Sequence, residues 1–193
     1  MSIIDERFQE LVDLIPKFQN ESKEAITEAS KMISVAFRNE NKVLICGNGG
    51  SAADSQHFAA EFVNTFSRNI TRRGLPALAL TTDSSVMTSI GNDFSFENIF
   101  SRQVQAYSKP GDILVVLTTS GSSTNCINAV LEAKKLGVLC IAFTRAEANI
   151  SQLVDLAIAV PSENTQHIQE CHILAYHVIT ELVEKNLFEG ADS

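Results

Sequence analysis

His57 and Glu61 stand four residues apart in a stretch that reads as helix, so they share one face and can close on a common metal ion or substrate. Just upstream, the apolar run Val43-Leu44-Ile45-Cys46 ends in Gly47-Asn48-Gly49-Gly50-Ser51. A short, partly β-branched run that ends in glycines is how a buried parallel strand looks when it feeds a turn into a helix. Gly47, Gly49 and Gly50 let a ligand approach the backbone without Cβ obstruction, and Ser51 can cap the helix while its first N–H groups face an anion. The same glycines fit a loose dinucleotide fingerprint, with Ala52 in the last glycine position. The ribose-binding acid expected about 20 residues later is missing, the first acid after the next strand being Asp83. No Lys-Ser/Thr follows the glycines either, which excludes a P-loop.

A second run with chemistry is Thr118-Thr119-Ser120-Gly121-Ser122-Ser123-Thr124, six hydroxyls and a glycine between an apolar strand and a helix. Hydroxyl donors, backbone N–H groups and a helix dipole converge there, as a phosphate cradle requires. A well-capped polar turn is the plainer alternative. The third candidate is the final helix, which carries His167, Gln169, His172 and His177. Gln169 and His177 are separated by about 12 Å of helix rise, long for ligands of one ion unless the side chains lean together or come from different subunit copies. Asn92 and Asp93 either cap a helix that starts near Phe96 or hydrogen-bond sugar hydroxyls. Arg68, Arg72 and Arg73 form a solvated basic loop or an anion-attracting rim.

These residues need a scaffold, and the hydropathy pattern supplies one. Residues 3–19 and 22–39 read as two amphipathic helices separated near Asn20. Strands follow at 43–46, 76–80, 113–117, 138–143 and 156–160, alternating with helices and ending in a helix over 165–187. Alternation of this kind implies an α/β protein with a parallel sheet covered on both faces and ligands at the carboxyl ends of the strands. Residues 145–154 are expected to form a short helix or turn. Residues 1–193 are expected to make one domain, with helices 3–39 contributing to oligomerisation through their long apolar stripe.

Composition narrows the function class. The chain is 45% hydrophobic and 20% charged, as a globular protein is, and its net charge of −8 argues against nucleic acid or an anionic membrane as partner. Cys46, Cys126, Cys140 and Cys171 show no CxxC spacing, which points to reduced core thiols and a cytoplasmic location. The start of the chain is too polar and acidic for a signal peptide, and no apolar run approaches a membrane span.

Taken together, CGNGGSAADSQHFAAEFVN, IGNDFSFENIFSRQV, LTTSGSSTN and IQECH, with a further histidine on the last helix, resemble the phosphoheptose isomerase family of the sugar isomerase (SIS) fold. The resemblance runs from about residue 7 to 188. It implies a five-stranded, flavodoxin-like three-layer SIS domain that converts sedoheptulose 7-phosphate to glycero-manno-heptose 7-phosphate through an enediol, towards ADP-heptose and lipopolysaccharide. It further implies that Asn48, Gly49, Gly50, Asn92 and Asp93 hold the sugar, with Glu61 and Gln169 also touching substrate. Thr118, Thr119, Ser120 and Ser123 would hold the phosphate. His57, Glu61, Gln169 and His177 match the family's ligands for one zinc per subunit, and Glu61 and His177 its base and acid. The two roles compete, because a residue bound tightly to zinc is a poorer proton carrier. A homotetramer with interfacial active sites is implied as well.

The sequence departs from the family at Thr118, usually serine, at His167, often arginine, and at 145–149, which lack an expected Gly-Gly. A rival of another class is the non-catalytic SIS paralogue that binds the bacterial replication initiator protein. That group lacks the glutamate at 61 and the histidine at 177, and this chain has both. A sugar-phosphate-sensing domain is a weaker third reading, since a sensor has no need of Glu61.

Overall fold

A computed structural model describes residues 2–188. The chain opens on a single helix, α1 (Ile3–Arg38), where two were expected. Nothing breaks it near Asn20, because one inward stripe, Leu14, Phe18, Ser22, Ala29, Ile33 and Phe37, continues across that position and is buried along its length. Ser22 donates to the carbonyl of Ala159 at 2.9 Å, tying the middle of the helix to the sheet. Pro16 sits inside α1, and the carbonyl its missing N–H leaves free belongs to solvent-exposed Val12.

Five parallel strands follow: β1 (Val43–Gly47), β2 (Ala77–Ala79), β3 (Ile113–Leu117), β4 (Leu139–Arg145) and β5 (Leu156–Val160). Their order is β2-β1-β3-β4-β5. β1 and β3 are buried at every residue, which explains their unbroken apolar sequences. Of the intervening helices, α2 (Gly50–Val63) follows β1, α3 (Ser84–Asp93) and α4 (Ser101–Tyr107) follow β2, and α5 (Thr124–Lys135) follows β3. The described residues close on α6 (Thr165–Phe188).

Two apolar cores lie on opposite faces of the sheet. One contains Phe18, Phe37, Phe58, Phe62 and Tyr176, from α1, α2 and α6. The other contains Ile90, Phe100, Val104, Cys126 and Val130, from α3, α4 and α5 and the turn between them. The chain thus forms three layers. After β1 it moves outward to β2 and then crosses to β3, so the strand order reverses between β1 and β3. Ligands of open parallel sheets bind at the carboxyl ends of strands beside such a reversal. Here those ends are Gly47–Ser51 and Thr118–Ser123.

Helix α3 is an element the sequence pattern missed, because its residues are turn and cap formers. Asp83 starts it by accepting from the N–H of Val86 at 2.9 Å. Asn92 and Asp93 therefore lie at the end of α3 rather than capping a helix at Phe96, where only a short 3-10 turn (Phe96–Asn98) forms. Similarly, residues 145–154 divide into the last residue of β4, a turn, and a 3-10 helix (Asn149–Gln152). Among the described residues, no helix is long and apolar enough to cross a membrane.

Candidate active site

Helix α2 begins where β1 ends, and its cap is Gly49 rather than Ser51, which lies inside the first turn. Two and three helical turns further on, His57 and Glu61 emerge on the same face, Nε2 of His57 lying 3.0 Å from Oε1 of Glu61. From α6 comes His177, whose Nε2 is 3.4 Å from Nε2 of His57. Ligand atoms of His57, Glu61 and His177 all lie within 4.8 Å of one another. Two imidazoles and a carboxylate form a donor set that suits zinc. The cluster is open, with the His57 side chain 46% exposed on the single chain.

Burial lowers the pKa of His177, helped by neighbouring His57 and opposed by Glu61. Its neutral imidazole, able to coordinate or to accept a proton, is therefore favoured near neutral pH.

Gln169 stands apart from this triad. Its amide Nε2 donates to Oδ2 of Asp54 at 2.8 Å, and the amide lies so close to Gly50 that a Cβ there would sit 2.6 Å from it. A side chain at position 50 would therefore push the Gln169 amide away from Asp54. Asp54 is a buried carboxylate whose pKa is raised by desolvation and pulled back by the Gln169 amide and by His57. Sequence reasoning passed over Asp54, although it stands three residues before His57 on the same helix.

The turn ends of β1 and β3 meet through a reciprocal amide pair. Asn48 Nδ2 donates to Asn125 Oδ1 and Asn125 Nδ2 donates to Asn48 Oδ1, each at 2.9 Å. This pair spans the strand-order reversal and sets the glycine turn against the hydroxyl loop. In that loop Thr118 is buried, accepts from the N–H of Gly121 at 3.2 Å and lies 3.4 Å from the Ser123 hydroxyl. Its extra methyl group, relative to serine, is therefore packed away without loss of the hydroxyl contact. Ser120 accepts from both the N–H and the hydroxyl of Ser122, at 3.2 and 3.1 Å. Ser123 is the N-cap of α5 but makes no side-chain cap bond, and with the N–H of Cys126 taken by Asn125 Oδ1 at 2.9 Å, the N–H groups of Thr124 and Asn125 remain for a ligand.

A cleft of about 280 Å³ opens beside the loop, lined by Thr119, Ser120 and Ser122 and by Arg145, Glu147 and Glu163. Arg145 is paired with Glu163. The segment without the expected glycines closes on Gly121, which has φ +66° and whose added Cβ would lie 2.3 Å from that of Ala148. Asn92 and Asp93 remain exposed, with the Asn92 amide donating to Asp93 at 2.8 Å.

The structure also adds a residue that the sequence pattern did not single out. Tyr176 is wholly buried, stacks on Phe58 with ring centroids 5.0 Å apart, and brings its hydroxyl within 2.9 Å of Nδ1 of His57. A metal-binding histidine is usually held through its second ring nitrogen in this way. The adjacency of Tyr176 to His177 was the available signal.

Similarity to known proteins agrees with this arrangement. The SIS domain profile matches residues 7–145. Phosphoheptose isomerase of Aquifex aeolicus is 46% identical over 94% of this chain and 95% of its own length. That of Thermodesulfovibrio yellowstonii is 48% identical over 96% of this chain and 92% of its own. Among solved structures, phosphoheptose isomerase of Neisseria gonorrhoeae superposes with a TM-score of 0.89 at 37% identity, covering 94% of this chain and 97% of that one. The Francisella tularensis enzyme gives 0.90 at 35% identity, over 96% and 100%.

Proposed function

The chain belongs to the SIS-domain family of phosphoheptose isomerases, and from that premise we propose that Glu61 and His177 carry its chemistry at a zinc site. The protein is a sugar-phosphate isomerase that converts sedoheptulose 7-phosphate to D-glycero-D-manno-heptose 7-phosphate. The observation that carries the site assignment is the convergence of His57, Glu61 and His177 from two helices. A protein that only bound a partner would have no use for it.

Interconverting a ketose and an aldose requires a proton to leave one carbon and return to its neighbour, while another moves between the two oxygens. The Glu61 carboxylate removes the proton from C1 of the ketose and returns it to C2 of the enediol. His177 transfers the proton between O1 and O2. The hydroxyls of Thr118, Thr119, Ser120 and Ser123 and the N–H groups opening α5 hold the phosphate. Asn48, Gly49 and Gly50, with Asn92 and Asp93, hold the sugar. His57, Glu61 and His177, together with Gln169, would hold zinc, which would supply Lewis-acid polarisation of the carbonyl.

We further read the protein as a cytoplasmic homotetramer with sites at subunit interfaces, feeding ADP-heptose and lipopolysaccharide synthesis. The exposed stripe Ile4, Phe8 and Val12 on α1 supports assembly, as does the openness of the triad on a single chain. Four buried, unpaired cysteines support a reducing compartment. The test is an isomerisation assay on sedoheptulose 7-phosphate before chelation, after chelation and with zinc restored. Turnover that falls on chelation and returns with zinc is expected. Turnover that survives complete metal removal would overturn the zinc assignment, and none under any condition would overturn the isomerase.

A further inference from the structure

Arg72 and Glu184 form an ion pair with both side chains fully shielded from solvent, Arg72 Nε donating to Glu184 Oε1 at 2.7 Å. The contacts of each partner lead to the site. Glu184 also accepts from the N–H groups of Phe66 and Ser67, each at 2.9 Å. Arg72 Nη2 donates to the carbonyl of Glu61 at 2.8 Å, and Nη1 donates to the carbonyl of Phe62 at 2.8 Å and to that of Arg73 at 3.1 Å. Carbonyls in the last turn of a helix have no intrahelical partner. The guanidinium therefore closes the end of α2 at the residue whose side chain serves as base.

The other half of the pair stands on α6, about two turns beyond His177. Phe66, whose N–H is fixed by Glu184, places its ring 5.7 Å from that of His177. The pair thus touches the backbone of Glu61 on one side and the surroundings of His177 on the other. Buried charges are a costly way to join two helices, since apolar side chains of similar volume often do so with equal stability. A planar guanidinium does what apolar groups cannot, serving several acceptors in fixed directions at once.

We propose that Arg72 and Glu184 are positioning residues for the isomerisation, holding the end of α2 against α6 so that His57 and Glu61 face His177 at working distance. The inference rests on the assignment of Glu61 and His177 made above.

Arg72→Lys retains the charge but supplies one nitrogen, which cannot reach Glu184 and both helix-end carbonyls. The expected variant is folded by circular dichroism, keeps KM for sedoheptulose 7-phosphate within about threefold because the phosphate loop is untouched, and loses roughly tenfold to a hundredfold in kcat. Its zinc is released to a competing chelator about tenfold more readily. The double variant Arg72→Met/Glu184→Leu leaves no unpaired charge but strips the N–H groups of Phe66 and Ser67 and the carbonyl of Glu61 of their partners, so it is expected to melt above Arg72→Met alone and below the parent, without regaining kcat. A folded lysine or double variant with parental kcat and zinc retention overturns the inference. So does failure of both variants to fold, which would make the pair a requirement of the fold. Parent and Glu61→Gln are assayed alongside. An inactive parent means that the isomerase reading itself has failed, whereas an active parent, an inactive Glu61→Gln and a fully active Arg72→Lys mean that only this inference has.

Discussion

The hydroxyl of Tyr176 lies 2.9 Å from Nδ1 of His57, so a buried phenol on α6 sets the orientation of an exposed imidazole on α2. Burial, reinforced by the charges of Asp54 and Glu61, raises the phenol pKa and keeps its proton in place. When His57 coordinates through Nε2, its Nδ1–H donates to the phenol oxygen. Tyr176→Phe preserves the stacking on Phe58 and removes only this contact. Zinc affinity, measured by competition with a chelator, is expected to fall roughly tenfold to a hundredfold. Unchanged affinity would remove Tyr176 from the support of the metal site.

Glu61→Gln keeps the shape of the side chain and abolishes its basicity. Turnover is expected to fall by about 10²–10⁴-fold, with sugar-phosphate binding by calorimetry largely intact. Full activity in this variant would dismiss Glu61 as the base.

Ser120 faces solvent in the hydroxyl loop and anchors Ser122. Ser120→Ala deletes one hydrogen bond to a charged group, so KM should rise roughly tenfold while kcat changes little. Steady-state kinetics that leave KM unaltered would put Ser120 outside the phosphate cradle.

His172 is completely buried against Phe143, no side chain hydrogen-bonds its ring among the described residues, and the polar group that favours its charged form is the backbone of Thr144. Burial pushes its pKa down from 6.5 to about 4. Between those values the unfolded chain binds a proton that the folded chain does not, so stability falls as pH is lowered through that window and is unaffected above it. The loss amounts to about 3 kcal/mol for this group. His172→Leu should remove it, reducing the difference between urea unfolding at pH 7.5 and pH 4.5 by about 2–3 kcal/mol relative to the parent. An equal pH dependence in parent and variant would contradict this origin.

The strands and their parallel arrangement could be read from the sequence because burial on both faces demands unbroken apolar runs, and Val43–Cys46 and Ile113–Leu117 are such runs. The His57–Glu61 pair was legible for a similar reason, since helical periodicity fixes which residues share a face within one element. Helix α3 was not legible, because Ser84–Asp93 has weak local preference and is held in place by its Asp83 cap and by Ile90 packing in the core. The break expected in α1 failed because burial of a continuous stripe outweighed a polar Asn20. Relations between elements were out of reach. That His177 meets His57 while Gln169 turns to Asp54, that Tyr176 supports His57, and that Arg72 finds Glu184 all depend on how α2 and α6 cross the same sheet face. Sequence determines which side chains a helix presents on one face. Only the packing of two helices on one sheet decides which of those side chains come within bonding distance.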